Sequence, residues 1–387
     1  MSTLLIVGLI PFYLLIILAI IYYSLISSFS FFLNYQWDIL FYEILILSLF
    51  LFHPKTVFFS RRSFFAPLFV SLLPMTLLMV RLFYHSALVK VMSRSFYWLS
   101  FRAIEVHLFS QPLPHWFSYS FLKTIIQLNL TTLLSYGVFI IEFIVPFALL
   151  IPKTRRIAAL SLILFQFSLI LTGNFGFFNF LVMVPLILCF LVSTSFNQIQ
   201  FSTSPIRIAY LTLLLIFTIN SVAVIFKDKY EKLPLSNQLF ASFRLFNHYG
   251  LFARMTDQQM KFNVYLRRTD SEDTYPIFFK YYDDNGYPDL TFLGPYMPRI
   301  RWQLWFKFLS INHPYPNWMQ IFMTQALSGT LNLPSFVRYY PTANQPYDAI
   351  DICYTPIMFD LDAKSGASPW TSFGDGTCHS FTEFNLR

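Results

Sequence analysis

The sequence predicts an α-helical polytopic membrane bundle of about seven spans, followed by a small C-terminal β-rich α+β soluble domain. Hydrophobic residues make up 56% of the chain and charged residues only 12%, which is typical of a protein whose main solvent is lipid. All apolar runs of spanning length lie before residue 227. Beyond that point, from KDKYEKLP onward, no apolar run is long enough to cross a bilayer.

The predicted spans are apolar segments close to the length of about 20 residues that a helix needs to cross the hydrocarbon core. They are residues 3–26, 37–53, 64–84, 128–151, 157–172, 175–194 and 206–226. The connection 85–122 mixes aromatic side chains with single basic residues, and the two prolines of its QPLPHW stretch break a helix. Trp and Tyr favour the headgroup level of a membrane, so this segment is predicted to be interfacial.

The predicted domains are a transmembrane domain, residues 1–226, and a soluble β-rich domain, residues 227–387, docked on the bundle. The net charge of +8 belongs to the transmembrane domain, because acidic and basic residues balance in the soluble domain. We interpret this charge as a topology signal and not as a sign of nucleic-acid binding. An alternating count puts the basic residues of two short loops on one face: Lys55, Arg61, Arg62, Lys153, Arg155 and Arg156. The positive-inside rule favours that face as cytoplasmic or matrix, which predicts the soluble domain on the lumenal or intermembrane side.

The soluble domain contains two strand patterns, MKFNVYLRR and YPIFFKYY, and a turn pattern, DDNG, at 283–286. RIRWQLWFKFL is predicted to be a helix, because Trp302, Trp305, Phe306 and Leu309 share one helical face. Arg301 lies between aromatic positions of the same helix and outside its polar stripe. We expect most of the circumference of this helix to be covered, with Arg301 a structural clamp held by aromatic stacking or a buried carboxylate.

A search for catalytic patterns finds no GxSxG, GxGxxG, Walker loop, HExxH or CxxC. The paired intrahelical histidines of a haem-carrying bundle are also missing. GDGTCHS and DDNGYPD are interpreted as a polar loop and a solvated turn, not as metal sites. The sequence therefore predicts no catalytic residue, no cofactor and no metal, and the protein is predicted not to be an enzyme. Cys353 and Cys378 share the soluble domain and can pair, although two cysteines prove little.

Glu142 is a carboxylate deep in the predicted span 128–151. Charge is costly in lipid, so such residues are functional candidates by default. We favour a structural, protonated or hydrogen-bonded role for Glu142.

The stretch LTGNFGFFNFL, residues 171–181, is an uncharged aromatic turn between two predicted spans. Gly173 and Gly176 permit tight or left-handed geometry, Asn174 can bond turn backbone, and Asn179 can link neighbouring helices. Backbone groups cannot stay unpaired at membrane depth. We therefore predict that this turn is the docking floor for the soluble domain, against the RWQLWF helix or the YGLF segment. A plain helix hairpin whose aromatic residues only touch headgroups is the alternative.

Several of these stretches resemble the lipase maturation factor family. Residues 110–192 carry SQPLPHWFSYSF, IIEFIVPFALL, the basic pair of TRR, Gln166 and LTGNFGFFNFL in the family's order. Three further stretches follow in the soluble domain, FNHYGLFARMT, FFKYY and PYMPRIRWQLWFKFL. The last of them adds four interaction candidates: Arg299, Arg301, Trp302 and Trp305. The last 50 residues depart from the family pattern.

The resemblance implies a non-enzymatic membrane protein of the endoplasmic reticulum that helps secreted dimeric lipases fold and assemble. Its expected partners are membrane lipids and a client lipase. The alternative is a structural accessory subunit of a large complex, such as a mitochondrial inner-membrane respiratory assembly, with the other subunits as partners. A third interpretation, an enzyme related to the vitamin K carboxylase type of bundle, has little support in the motifs.

Overall fold

The computed structural model describes most of the chain. The described residues are 2–58, 68–192, 205–226, 240, 242–250, 252–269, 272–309, 314–330, 334–341, 346–364 and 367–382. The basic residues Arg61 and Arg62 lie outside the described residues. So does the segment 227–239, which contains the predicted domain boundary.

Helices dominate the first 226 residues. They are α1 (Ser2–Ile6), α2 (Pro11–Ser28), α3 (Gln36–Ser48), α4 (Leu68–Ser71), α5 (Leu73–Met92), α6 (Phe96–Leu99), α7 (Ala103–Ser110), α8 (Trp116–Gln127), α9 (Thr131–Phe143), α10 (Val145–Ala148), α11 (Arg155–Thr172), α12 (Phe178–Leu191) and α13 (Pro205–Ile225), with a 3₁₀ turn at Leu49–Leu51. Proline occupies the first turn of α2, α5 and α10, where its missing N–H has no intrahelical partner to lose.

Five helical stretches of the described residues are long and apolar enough to cross a membrane: α2, α5, α9 with α10, α11 and α13. The predicted count of seven spans is not confirmed. Two of the predicted spans correspond to shorter helices, α3 with 13 residues and α12 with 14. The described part of the predicted span 64–84 corresponds to α4 and α5, and α5 continues beyond it to Met92. Arg81 and Lys90 do not end this helix, since each pairs with a buried carboxylate.

The chain divides into two compact units. The first, the helical unit, comprises residues 1–99, 136–168 and 177–254. The second, the sheet unit, comprises residues 100–135, 169–176 and 255–387. The sheet unit thus includes most of the predicted interfacial segment 85–122 and most of the predicted soluble domain, which is called the tail below. It also includes residues 173–176 of the aromatic turn, called the glycine-rich turn below.

Helix α5 is the centre of the helical unit, where it packs against α3, α10, α12 and α13. In the most apolar 18 residues of α5, 72% of the residues are buried, against 22% in the stretch formed by α9 and α10. The more exposed helices present large apolar side chains such as Ile140 and Leu164 outward. This distribution fits a bundle whose outer helices face lipid.

The sheet unit contains an antiparallel sheet in the order β3-β2-β1-β4-β5, with β6 paired to the first half of β4. The strands are β1 (Gln259–Arg267), β2 (Thr274–Phe279), β3 (Val337–Tyr339), β4 (Ala349–Phe359), β5 (Trp370–Ser372) and β6 (Thr377–Thr382). The two predicted strands are confirmed as β1 and β2. The predicted turn is also confirmed, since Asp283 Oδ1 accepts the backbone N–H groups of Asn285 and Tyr287. A C-terminal strand-rich domain after a helical region is therefore confirmed as the fold class.

Two helices, α14 (Arg299–Phe308) and α15 (Asn317–Leu327), cover one face of this sheet. Alternate residues of each strand point to one face, and the buried residues of β1 are Met260, Phe262, Val264 and Leu266. They form one core with Leu304 and Phe308 of α14 and with the buried residues of α15.

The predicted helix over RIRWQLWFKFL is confirmed, and of the four residues that share its predicted apolar face, Trp302 and Trp305 are buried. Phe306 and Leu309 are exposed, whereas Leu304 and Phe308 are buried. The sheet covers the Leu304 side of α14, and the segment 110–112 binds Arg301 and Trp305. Most of the helix is buried because it has neighbours on two sides, which agrees with the expectation that most of its circumference is covered.

Candidate functional site

Asn174 is the centre of a hydrogen-bond network inside the sheet unit. Its Nδ2 donates to the carbonyl oxygens of Leu113 (2.9 Å) and Thr291 (2.8 Å), and its Oδ1 accepts the N–H of Leu293 (2.8 Å). The side chain is 1% exposed. One amide therefore joins the glycine-rich turn to the QPLPHW stretch and to the loop before α14.

The end of α11 is closed by side chains from the QPLPHW region. The carbonyl oxygen of Thr172, the last residue of α11, accepts hydrogen bonds from Gln111 Nε2 and Ser118 Oγ, each at 2.8 Å. Helix ends leave carbonyl groups without intrahelical partners. These two side chains supply the partners that water provides at an exposed helix end.

Both glycines of the turn are required by its geometry. A Cβ atom at Gly173 would overlap Gln111 Oε1 and the ring of Phe175. Gly176 has a φ of +62°, a left-handed conformation that other residues adopt only with strain.

Side chains of β1 and α14 donate hydrogen bonds to backbone carbonyl groups of the segment 109–112. Gln259 Nε2 donates to the carbonyl of Gln111 (2.6 Å), Trp305 Nε1 to that of Ser110 (2.7 Å), and Arg301 Nη2 to that of Pro112 (3.3 Å). Helix α7 ends at Ser110, and the prolines that follow prevent the helix from continuing, so the last carbonyl groups have no intrahelical partner. The carbonyl groups of the segment are satisfied instead by the tail.

Arg301 is 2% exposed, and its guanidinium carbon lies 4.0 Å from the ring centroid of Tyr282. A planar guanidinium stacks on an aromatic face with a larger energy once water is removed. Burial raises the pKa of Tyr282, and the charge of Arg301 opposes that rise. The phenol thus stays neutral beneath the cation.

A second buried polar network lies in the helical unit, around Glu43 of α3. Its carboxylate pairs with Arg81 and accepts hydrogen bonds from the Tyr249 hydroxyl (2.7 Å) and the Phe246 N–H (3.0 Å). Burial and the nearby carboxylate raise the pKa of Tyr249, which keeps its hydroxyl able to donate. FNHYG, one of the stretches on which the resemblance rests, is therefore a set of partners for a buried acid.

Glu142 is 6% exposed and binds Lys90, with Nζ 2.6 Å and 2.8 Å from its two oxygens. Lys90 also donates to the Ser86 carbonyl and lies over the Trp98 ring. Sequence reasoning selected Glu142 but missed Glu43, although Glu43 also lies in a predicted span. A carboxylate inside an apolar run was the signal, and it applied to both residues.

The remaining predicted residues lie on two helices. Asn179 is buried in the first turn of α12, Trp302 is buried in α14, and Arg299 is partly exposed at the start of α14. Gln111 and Gln259, which hold the network together, were not predicted, because nothing in their local sequence distinguishes them. The described residues contain no group of three or more His, Cys, Asp or Glu side chains that could hold a metal ion.

Cys353 and Cys378 form a disulfide bond. They lie directly opposite each other on the adjacent strands β4 and β6, and Cys378 is exposed. The bond closes a sequence separation of 25 residues and joins an outer strand to the centre of the sheet.

Two family models match the chain in succession. The model of the lipase maturation factor transmembrane domain matches residues 1–197, and that of the lipase maturation factor C-terminal domain matches residues 245–370. This chain belongs to the lipase maturation factor family. The networks around Asn174 and Glu43 each draw residues from both matched regions.

Curated relatives carry the same family name. The chain is 30% identical to lipase maturation factor 2 of Gallus gallus over 142 residues, which are 35% of this chain and 20% of the relative. It is 24% identical to lipase maturation factor 1 of Homo sapiens over 284 residues, which are 64% of this chain and 49% of the relative. The matches thus span half the length of these relatives or less. No solved structure matches the chain.

The Asn174→Ala substitution should lower the free energy of unfolding by about 3 kcal/mol, because it removes three hydrogen bonds worth about 1 kcal/mol each. Denaturant or thermal unfolding of the detergent-purified protein measures this. Asn285→Ala is the matched control, since Asn285 is exposed at a turn of the same unit. Equal losses in the two variants would contradict the role of Asn174.

The Arg301→Met substitution should destabilise the protein by about 2 kcal/mol, the energy of a desolvated cation–π contact. Arg301→Lys should fall between Met and the wild type, because an ammonium keeps the charge but not the planar stacking. The melting temperatures of these variants are compared with that of Arg299→Met, at the partly exposed start of the same helix. An unchanged melting temperature for Arg301→Met would refute the clamp.

Proposed function

We propose that this protein is a non-catalytic membrane maturation factor that assists the folding or assembly of a secreted lipase in the endoplasmic reticulum. The observation that carries the proposal is the ordered match of both family domains to one chain. The named relatives, lipase maturation factors 1 and 2, indicate a lipase as client. In the described residues, the buried polar groups of the predicted site bind backbone carbonyls, one another and aromatic rings, which suits a scaffold.

The sheet unit lies on the lumenal side in this proposal. It contains Thr131 to Ser135, where one candidate span begins, and Leu169 to Thr172, where the next one ends. The connection between these spans, with Lys153, Arg155 and Arg156, lies at their opposite ends. Basic loops favour the cytoplasmic face, so the sheet unit belongs to the other side.

The disulfide of the sheet unit supports the same side independently. Disulfide bonds persist in the lumen of the endoplasmic reticulum and outside the cell, and they are rare in the cytosol. Cys378 is exposed, so burial does not shield this bond from a reducing compartment. A secreted client folds in the lumen of the endoplasmic reticulum, so a lumenal sheet unit shares a compartment with that client.

The alternative, an accessory subunit of a respiratory complex, receives no support from the family models or the named relatives. It stays a prediction, and a native gel followed by mass spectrometry separates the two. A maturation factor is recovered alone or with its clients from the secretory pathway. Co-migration in fixed stoichiometry with one large inner-membrane complex would favour the subunit.

Protease added to the cytoplasmic side of sealed microsomes should leave residues 255–382 intact, because the proposed topology places them in the lumen. Opening the vesicles with detergent should expose them. A thiol-specific polymer label, added before and after reduction, reports whether Cys353 and Cys378 are paired in the same membranes. Rapid cleavage of this region in sealed microsomes would exclude the lumenal placement.

Expression of this chain in cells that lack their own lipase maturation factors should restore the secreted activity of a co-expressed dimeric lipase. The amount of lipase protein should change less than its specific activity, since the factor acts on folding. Asn174→Ala should reduce the rescue and Asn285→Ala should not. No rescue by a correctly localised wild-type chain would reject the lipase client.

A further inference from the structure

An uncharged aromatic rim borders the end of α11. We use the name aromatic rim for Trp116, Phe292 and Tyr296, which are 61%, 48% and 68% exposed. The loop 290–297, LTFLGPYM, carries two of them and contains no charged residue. Three large exposed aromatic side chains around an uncharged loop are unusual for a surface that meets only water.

The contacts of the loop place the rim against the glycine-rich turn. Asn174 binds the backbone of Thr291 and Leu293, and the Trp116 N–H donates to the Leu290 carbonyl at 3.2 Å. The Phe292 ring lies 5.4 Å from that of His115, the neighbour of Trp116. Trp116 and Phe292 therefore lie on neighbouring segments that are tied to the same turn, and Tyr296 follows Phe292 in the same loop.

The length of α11 fixes the depth of that turn. At about 1.5 Å per residue, the 18 residues of Arg155–Thr172 extend about 27 Å, close to the hydrocarbon thickness of about 27 Å of the endoplasmic reticulum bilayer. With Arg155 and Arg156 at one interface, Thr172 reaches the other. Ser118 binds the Thr172 carbonyl directly, so Trp116, two residues earlier, lies within a few ångströms of the same level.

We propose that the aromatic rim is a lipid-contacting surface of the sheet unit and lies in the headgroup layer of the bilayer. Trp and Tyr prefer this layer because their rings are apolar and their N–H and O–H groups still reach water or headgroups. The surface anchors the sheet unit to the membrane beside the end of α11. The inference depends on α11 crossing the membrane and does not depend on the lipase client.

Nitroxide labels test this depth in the full chain, reconstituted in phosphatidylcholine vesicles. The variants Trp116→Cys, Phe292→Cys and Tyr296→Cys are made in a Cys189→Ala background and labelled without reductant, so that the disulfide stays closed. Power-saturation spectroscopy gives the ratio of oxygen access to water-soluble nickel-chelate access at each label. All three positions are exposed, and each one reports independently if another variant fails to fold.

Matched controls come from exposed aromatic residues elsewhere on the sheet unit. Tyr339 lies on the edge strand β3, Phe373 follows β5, and both are exposed. The ratio of oxygen to nickel access should be several-fold higher at the rim positions than at Tyr339→Cys and Phe373→Cys. A ratio at the rim equal to that at the controls would overturn the lipid assignment and leave a protein partner as the occupant of this surface.

Discussion

A buried backbone carbonyl has no access to water and needs a hydrogen-bond donor from the protein, and the buried turn of the sheet unit is arranged around that constraint. The Thr172 carbonyl receives two side-chain donors, and Asn174 satisfies three further backbone groups with one amide. The carbonyl groups of residues 110–112, at and just after the end of α7, have the same need, and the side chains of Gln259, Trp305 and Arg301 meet it. The turn and the tail therefore depend on each other for hydrogen bonds, and neither is complete alone.

In the helical unit, buried charged side chains are paired in the same way as the buried backbone groups of the sheet unit. Arg81 and Lys90 lie on the central helix α5, where an unpaired cation would cost several kcal/mol, and each faces a carboxylate on another helix. Glu43 also accepts hydrogen bonds from the FNHYG stretch. Residues after the last candidate span therefore supply its remaining donors. Buried pairs of this kind add little net stability but tolerate few alternative arrangements. Each pair joins α5 to one particular helix, α3 or α9.

These features suit a protein that works by holding a fixed shape. The buried side chains of Asn174, Glu43 and Glu142 each bind structural partners, and a disulfide joins β4 to β6 in the sheet unit. Under the proposed function, a disulfide-bonded sheet unit in the lumen offers the client a stable surface. The proposed lipid contact of the aromatic rim would keep that surface at the bilayer.

The sequence by itself determined the class of protein, the strand-rich tail, its turn and its Trp-rich helix, because composition and local periodicity decide these features. It also indicated Gly173, Asn174 and Gly176 as special, since glycine and asparagine are the residues that tight turn geometry requires. Only the tertiary structure decided their partners. Gln111, Gln259 and Glu43 act through residues more than 50 positions away, and no local pattern encodes such contacts. The exposure of Phe306 and Leu309 and the continuation of α5 to Met92 have the same cause, since a neighbour distant in the sequence decides which residues are covered and which charges are paired.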